Sequence, residues 1–298
     1  MIETRLLCYF LAIAREQSIT RAAESLNITQ PTLSKQMMEL EEQLGKKLFI
    51  RGSRRVTLTD EGAFLRKRAQ EIIDLADRTE ADFKTSDAIV GGDVYIGGGE
   101  TEAMRLIARV IRKMRERYPN IRVHLFSGNA EAVTERLDRG LLDFGVLIEP
   151  GDITKYDYMR LPAADTWGVL MRRDSPLAVL PAIEAEALRG LPLLCSRQAL
   201  GQNELSGWFG SAADKVNVVM TYNLIYNAAL MVEEGIGYAL CLDRLVNTTG
   251  DSALCFRPLK PRLEAHLDIV WKKHPAFSRA SEIFLKQLQA LLTEDDGE

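Results

Sequence analysis

Gln30, Pro31, Thr32, Ser34 and Lys35 place amide, hydroxyl and ammonium groups at the leading end of one predicted helix, while Glu39, Glu41 and Glu42 follow a turn or more later. A helix that enters a major groove end-first requires this order. Its leading donors and acceptors meet base edges and phosphates, and its trailing acids stay clear of the phosphate chains. Directly downstream, "LFIRGSRRVTLT" alternates about Gly52 and Ser53 like a two-stranded hairpin and presents Arg51, Arg54 and Arg55 at its tip. Such a cationic tip suits phosphate contact or the minor groove. These eight residues are the candidate contacts with double-stranded DNA.

Several elements must hold that face in place. Leu6, Leu7, Phe10, Leu11 and Ala14 recur at helical spacing and predict a first helix with one apolar stripe. Thr20 is the expected N-cap of a short second helix carrying Ala22, Ala23 and Leu26, whose small residues allow close approach. Asn27 tolerates the left-handed conformation of a helix end. The third helix opens at Thr29 or Gln30 with Pro31 in its first turn, and Leu33, Met37, Leu40 and Leu44 pack inward. With the hairpin this is a winged helix-turn-helix. The bland alternative is a solvated three-helix bundle. The short turn, the small-residue second helix and the adjoining basic segment argue against it.

Composition bounds the rest. The 298 residues, 46% apolar and 27% charged, suffice for two or three domains with real cores. Cys8, Cys195, Cys241 and Cys255 form no CxxC pair, which argues against a zinc site and a secreted disulfide scaffold. No cofactor is expected. "RLLCYFLAIARE" is too short to span a bilayer, so a cytoplasmic protein without membrane partners is expected. The net charge of −4 is uneven: residues 1–59 hold nine Lys/Arg against six Asp/Glu, and five of the nine lie within 46–55. A basic head on an acidic body points to a polyanion partner at the N-terminus.

The run "SITRAAESLNITQPTLSKQMMELEEQLGKKLFIR", followed by "VTLTDEG", resembles the LysR-type transcriptional regulators. Members of that family typically carry arginine where this chain has Lys35, and lysine lacks arginine's planar bidentate contact with guanine. The segment "DEGAFLRKRAQEIIDLADRTEADFK" predicts a long helix capped by Thr59, with an apolar seam of Ala63, Ala69, Ile72, Ile73, Ala76 and Phe83. The seam could lie on the protein's own C-terminal body. The resemblance implies instead that it pairs with its twin, giving a homodimer and, by family habit, a homotetramer.

Beyond residue 90, "GGDVYIGGG", "IRVHLF" and "DFGVLI" alternate with helical stretches at 100–118 and 129–139, a βαβαβ order implying a parallel sheet. The glycine triplet lacks GxGxxG spacing, so no dinucleotide site is expected. A second α/β unit follows from about Pro162, with "TWGVLM", "LPLLC", "VNVVM" and "GYALCL" as strands and a helix over 222–234. The pattern returns with "AHLDIVW" and a helix over 278–292, which puts crossovers near Leu161 and His266. The expected fold is α/β with an all-α head: a winged helix-turn-helix at 1–59, a linker and dimerisation helix at 60–90, and an effector domain at 91–298. Its lobe I takes in 91–161 and 266–298, and its lobe II 162–265. Two lobes joined by a double hinge enclose a cleft. The resemblance implies a body shaped like the periplasmic solute-binding proteins.

Strand ends and helix N-termini facing that cleft should supply ligand groups. These are Gly99, Glu100, Thr101, Ser127, Asn129 and Ile148 from the first lobe, and Ser196, Arg197 and Tyr222 from the second. By resemblance Thr101 falls where the family places an effector-binding hydroxyl, Asn129 near a second polar position, and Ile148 where some sensors of aromatic acids carry a basic residue. Thr101, Ser127 and Asn129 have alternative roles as turn and cap residues, and Arg197 as a solvated loop arginine. A small organic acid is one candidate effector, although Glu100 would repel an anion. The leading expectation is an effector-responsive DNA-binding regulator, not an enzyme: no nucleophile with its base and no phosphate loop is evident. The alternatives are a redox sensor using Cys195 with Cys241 or Cys255, and an enzyme with an appended DNA-binding head.

Overall fold

The computed structural model describes residues 2–52, 55–84, 90–149, 153–201, 203–210 and 216–295. The chain divides into two compact units, Met1–Lys84 and Thr85–Glu298.

In the first unit, α1 (Thr4–Glu16), α2 (Ile19–Ser25) and α3 (Gln30–Leu44) enclose a core of Leu6, Leu7, Phe10, Ile13, Ala22, Ala23, Leu33, Met37 and Leu40. Ser18, not Thr20, caps α2 by accepting the Arg21 N–H at 3.3 Å. Both residue types cap well, and the cap falls two residues early because Ile19 already packs on the head core. Asn27 has φ 55° and Gly45 φ 64°, the left-handed corners that end α2 and α3. Strands β1 (Phe49–Arg51) and β2 (Val56–Leu58) pair antiparallel, so the expected wing is present.

The helix α4 (Asp60–Lys84) falls within this unit. The Thr59 hydroxyl accepts the Gly62 N–H at 2.9 Å and donates to the Lys47 carbonyl at 2.7 Å. A Cβ on Gly62 would lie 2.1 Å from the Leu48 carbonyl oxygen, so only glycine lets α4 start against the wing. Leu65 and Ala69 are buried in the head core, which removes Ala69 from the predicted seam. Phe64, Ile72, Leu75 and Phe83 are the large apolar side chains that α4 leaves exposed. At 100° per residue they lie within about 100° of arc.

The second unit is built on a mixed sheet, in which the three strands of the first βαβαβ run pair parallel as expected. Its described strands are β3 (Gly91–Gly98), β4 (Asn120–Ser127), β5 (Phe144–Ile148), β6 (Tyr156–Arg172), β7 (Pro192–Ser196), β8 (Asn217–Tyr222), β9 (Tyr238–Leu242), β10 (Leu254–Pro258) and β11 (Glu264–Lys272). They run in the order β4-β3-β5-β11-β6-β9-β7-β8, with β10 on β6. The βαβ units pair parallel within each lobe, whereas β6 and β11 cross between lobes and pair antiparallel with each other. Their register shifts between His266 and Asp268, close to the predicted crossovers. Helices α5 (Met104–Arg117), α6 (Ala130–Asp138) and α10 (Arg279–Asp295) cover the first lobe, and α7 (Arg197–Gly201), α8 (Asn203–Phe209) and α9 (Ile225–Glu233) the second. Phe144, Ile107, Val110 and Phe284 centre one core, while Val169, Leu193, Cys195 and Leu240 centre the other. The helix expected over 222–234 begins only at Ile225, because Tyr222 closes β8. Among the described residues no helix is long and apolar enough to cross a membrane.

Candidate functional site

Thr29 caps α3 by accepting the Thr32 N–H, and its hydroxyl meets that of Thr32 at 2.8 Å. Gln30 Nε2 donates to Ser34 Oγ at 2.9 Å, and Lys35 pairs with Glu39 at 3.8 Å across one turn. Gln30, Pro31, Thr32 and Lys35 are exposed and Ser34 is half-buried. The predicted face is therefore assembled on one helix end, its polar groups oriented by neighbours four residues or fewer away. Arg55 is exposed beside the turn, where its carbonyl accepts the Gly52 N–H at 3.1 Å. Arg51 lies in β1, and Arg54 lies outside the described residues.

One expectation on α3 fails. Glu41 is not a trailing surface acid but is only 8% exposed. Its carboxylate accepts the Leu48 N–H at 2.8 Å, the Phe49 N–H at 3.4 Å and Lys47 Nζ at 2.7 Å. Burial alone would raise its pKa, but the hydrogen bonds from Lys47, Leu48 and Phe49 outweigh that and hold it below the usual carboxylate range. Glu41 thus fastens the wing to α3.

In the second unit a cavity of about 530 Å³, counting the space open to solvent at its mouth, lies at the C-terminal ends of the parallel strands. Gly99, Glu100, Asn129, Ile148, Ser196 and Tyr222 line it as expected, together with Trp167, Gln198, Ala199, Asn223, Ile225, Cys241, Leu242 and Leu245. Thr101, Ser127 and Arg197 are not among its lining residues. Thr101 is 6% exposed, donates to the Asp165 carboxylate and accepts the Ala103 N–H at 3.1 Å. Its hydroxyl proton is committed to bracing the turn against β6. Burial raises the pKa of Asp165, and the bond from Thr101 opposes that rise. Arg197 points to solvent, and Ser127 ends the exposed edge strand β4.

Two side chains cross the cavity. Glu100, from the first lobe, accepts the Ile225 N–H at the start of α9, a helix whose own N-cap, Leu224, has no side-chain bond. Gln198, from the second lobe, accepts the Ala130 N–H at the start of α6 at 3.0 Å. Each lobe therefore satisfies an orphan donor of the other. Asn129 caps α6 through the Ala132 N–H at 3.1 Å while lining the cavity. Gln198 and Trp167 escaped the sequence reading, Gln198 because α7 was not foreseen and Trp167 because a mid-strand residue carries no strand-end signal. Trp167 Nε1 is buried without a hydrogen-bond partner among the described residues.

The thiols of Cys195 and Cys241 are buried, and burial pushes both up to about 12. Thiols so far from ionisation are poor redox sensors, which disfavours the cysteine alternative. Among the described residues no group of three or more His, Cys, Asp or Glu is placed to hold a metal ion.

Comparison with known proteins agrees with this geometry. Residues 4–63 match the family model for the bacterial regulatory helix-turn-helix protein, lysR family, and residues 90–293 match the LysR substrate binding domain. The chain is 28% identical over 294 residues to the uncharacterized HTH-type transcriptional regulator YfeR of Shigella flexneri, covering 97% of this chain and 95% of that one. Its fold is similar to the crystal structure of CbnR, a LysR family transcriptional regulator, with a TM-score of 0.75, 18% identity, and 98% and 99% of the two chains covered. The structure of full-length CbnR complexed with its target DNA gives 0.73, with 17% identity and coverage of 97% and 100%.

Proposed function

The chain belongs to the LysR family of DNA-binding transcriptional regulators with an effector-binding domain, and from that premise we propose which of its residues do the work. The leading turn of α3 enters the major groove, with Gln30, Pro31, Thr32, Ser34 and Lys35 at base edges and flanking phosphates. Arg51, Arg54 and Arg55 of the wing hold the backbone or the adjacent minor groove. Two heads are presented by a homodimer paired through Phe64, Ile72, Leu75 and Phe83 of α4, and dimers pair further into tetramers. A small molecule in the cavity between the lobes shifts their arrangement, and with it the spacing of the heads on the promoter. The observation that carries the DNA reading is the exposed, internally oriented polar end of α3, joined by Glu41 to a hairpin with an exposed Arg55.

The test is fluorescence anisotropy of the full chain on duplexes from upstream of its own coding region and on scrambled duplexes, over a salt series. Arg55→Ala should weaken binding to all sequences alike and flatten the salt dependence by about 0.9 in log–log slope. Lys35→Ala should change the preference between duplexes instead. Equal weakening by Lys35→Ala on every sequence would show that Lys35 reads no base, and salt-insensitive binding by the wild type would sink the proposal.

A further inference from the structure

The cavity is lined by many neutral groups and a single formally charged one. Among the described residues that line it only Glu100 bears charge, and no lysine, arginine or histidine joins it. Anion sites at helix N-termini work through free N–H groups aimed at the ligand. Here those groups are already taken by the protein's own acceptors: the Ile225 N–H by Glu100, the Ala130 N–H by Gln198, and the Ala132 N–H by Asn129. An entering carboxylate would meet a like charge and find those donors occupied.

The N-terminus of α9 contributes the equivalent of roughly +0.5 charge beside Glu100, and its effect fades within a turn. That leaves the Glu100 locality net negative. Only Oε2 of Glu100 is used, and Oε1 has no hydrogen-bond partner among the described residues. Ile148, Trp167, Leu242 and Leu245 give the wall an apolar and aromatic part, beside the neutral polar groups of Asn129, Ser196, Gln198 and Asn223.

Resting on the assignment of this cavity as the effector site, we infer that its ligand is cationic: a compact molecule with a protonated amine or amidine nitrogen at Glu100 Oε1 and an apolar body against Trp167 and Leu242. This departs from the organic acid that the sequence leaves open, and it follows from the charge inventory of the wall.

The experiment uses the full chain and matched probes of one skeleton, 2-phenylethylamine, 2-phenylethanol and 3-phenylpropanoate, with tryptamine and indole-3-propionate as a larger pair. Binding is read by calorimetry and by thermal shift at probe concentrations up to about 10 mM. At least one amine should bind saturably and raise the melting temperature, at least about tenfold more tightly than its alcohol or acid counterpart. Glu100→Gln should remove that advantage while the variant melts cooperatively. Preference for an acid, equal binding of alcohol and amine, retention of the amine's advantage in Glu100→Gln, or no amine binding at all would each overturn the inference. Duplex affinity is measured on the same samples. Intact DNA binding without an amine response defeats this inference and leaves the regulator reading standing, and the converse result defeats only the latter.

Discussion

Replacing Glu41 by alanine removes the acceptor that joins the wing to α3, and the cost can be worked from its three partners. Lys47 is 77% exposed, so its pairing with Glu41 at 2.7 Å is worth only about 0–1 kcal/mol after solvent screening. The Leu48 N–H is different: Leu48 is 1% exposed, and a buried donor left without its acceptor costs about 1–3 kcal/mol. The 3.4 Å contact with Phe49 is too long to add much. The expected loss is therefore about 1–4 kcal/mol for Glu41→Ala, and about 1 kcal/mol or less for Glu41→Gln, which keeps an acceptor. The chain offers a clean assay, because its three tryptophans, Trp167, Trp208 and Trp271, all lie in the second unit. Urea unfolding followed by far-ultraviolet circular dichroism should show an earlier head transition, while the tryptophan transition stays in place. The sign with pH follows from the depressed carboxyl. Its charge-dependent contribution is present above its unfolded value near 4.5 and is lost as pH falls through the lower folded value, so the gap between wild type and Glu41→Ala should narrow in that acid range without closing, because the protonated carboxyl keeps an acceptor. Exposed Glu42→Ala is the control, expected within about 0.5 kcal/mol of wild type. A Glu41→Ala variant as stable as the Glu42→Ala control would refute the reasoning.

Other perturbations separate the remaining roles. Ile72→Glu places a charge on the exposed apolar arc of α4 and should shift the oligomer toward monomer in sedimentation velocity; unchanged mass would exclude that arc from the interface. Thr101→Val strips the Asp165 carboxylate and the Ala103 N–H of a partner, so it should destabilise the second unit by about 1–3 kcal/mol in the tryptophan-monitored transition. It should leave ligand affinity within about twofold, since no transferred ligand bond is lost, and a selective loss of ligand response would return Thr101 to the site. Native protein treated with peroxide near neutral pH should keep Cys195 and Cys241 reduced by mass spectrometry, because at a pKa of about 12 almost none of either thiol is ionised. Their rapid oxidation would reopen the redox alternative.

Local pattern was legible wherever one face of one element decided the outcome. Leu33, Met37 and Leu40 mark the inner stripe of α3, and the polar residues before and between them lie exposed or half-buried, off that stripe. Glu41 was not legible, because its neighbours Glu39 and Glu42 are solvated and its own burial depends on Leu48 returning seven residues later. The seam of α4 was read as continuous, yet the head takes Leu65 and Ala69 for its own core, a tertiary choice that helical period cannot foresee. In the second unit the strands were visible as apolar runs, and the βαβαβ order gave the parallel direction of β3, β4 and β5, but not the antiparallel pairs. The antiparallel pairing of β6 with β11 arises from the chain's return between lobes, and β10, an edge addition to β6, had no separate signal. Rules about strand ends found six lining residues because position suffices for them, and misplaced Thr101 because the same rules say nothing about which way a side chain turns.

That last distinction bears on how the cavity could govern the heads. The two bonds that cross it, from the Ile225 N–H to Glu100 and from the Ala130 N–H to Gln198, join the lobes. At about 1 kcal/mol each they favour this arrangement by about 2 kcal/mol, or roughly thirtyfold. The value matters because coupling between sites is typically about 1–3 kcal/mol. Bonds much stronger than these would leave a ligand unable to move the lobes, and no bonds at all would leave it nothing to displace. A ligand that competes for Glu100 must repay the Ile225 N–H or release it, so the charge that selects the ligand and the contact that sets the lobe equilibrium reside in one side chain. Selectivity and response are then inseparable at Glu100, whereas Gln198, which carries no charge, can alter the lobe equilibrium without altering which ligand is preferred.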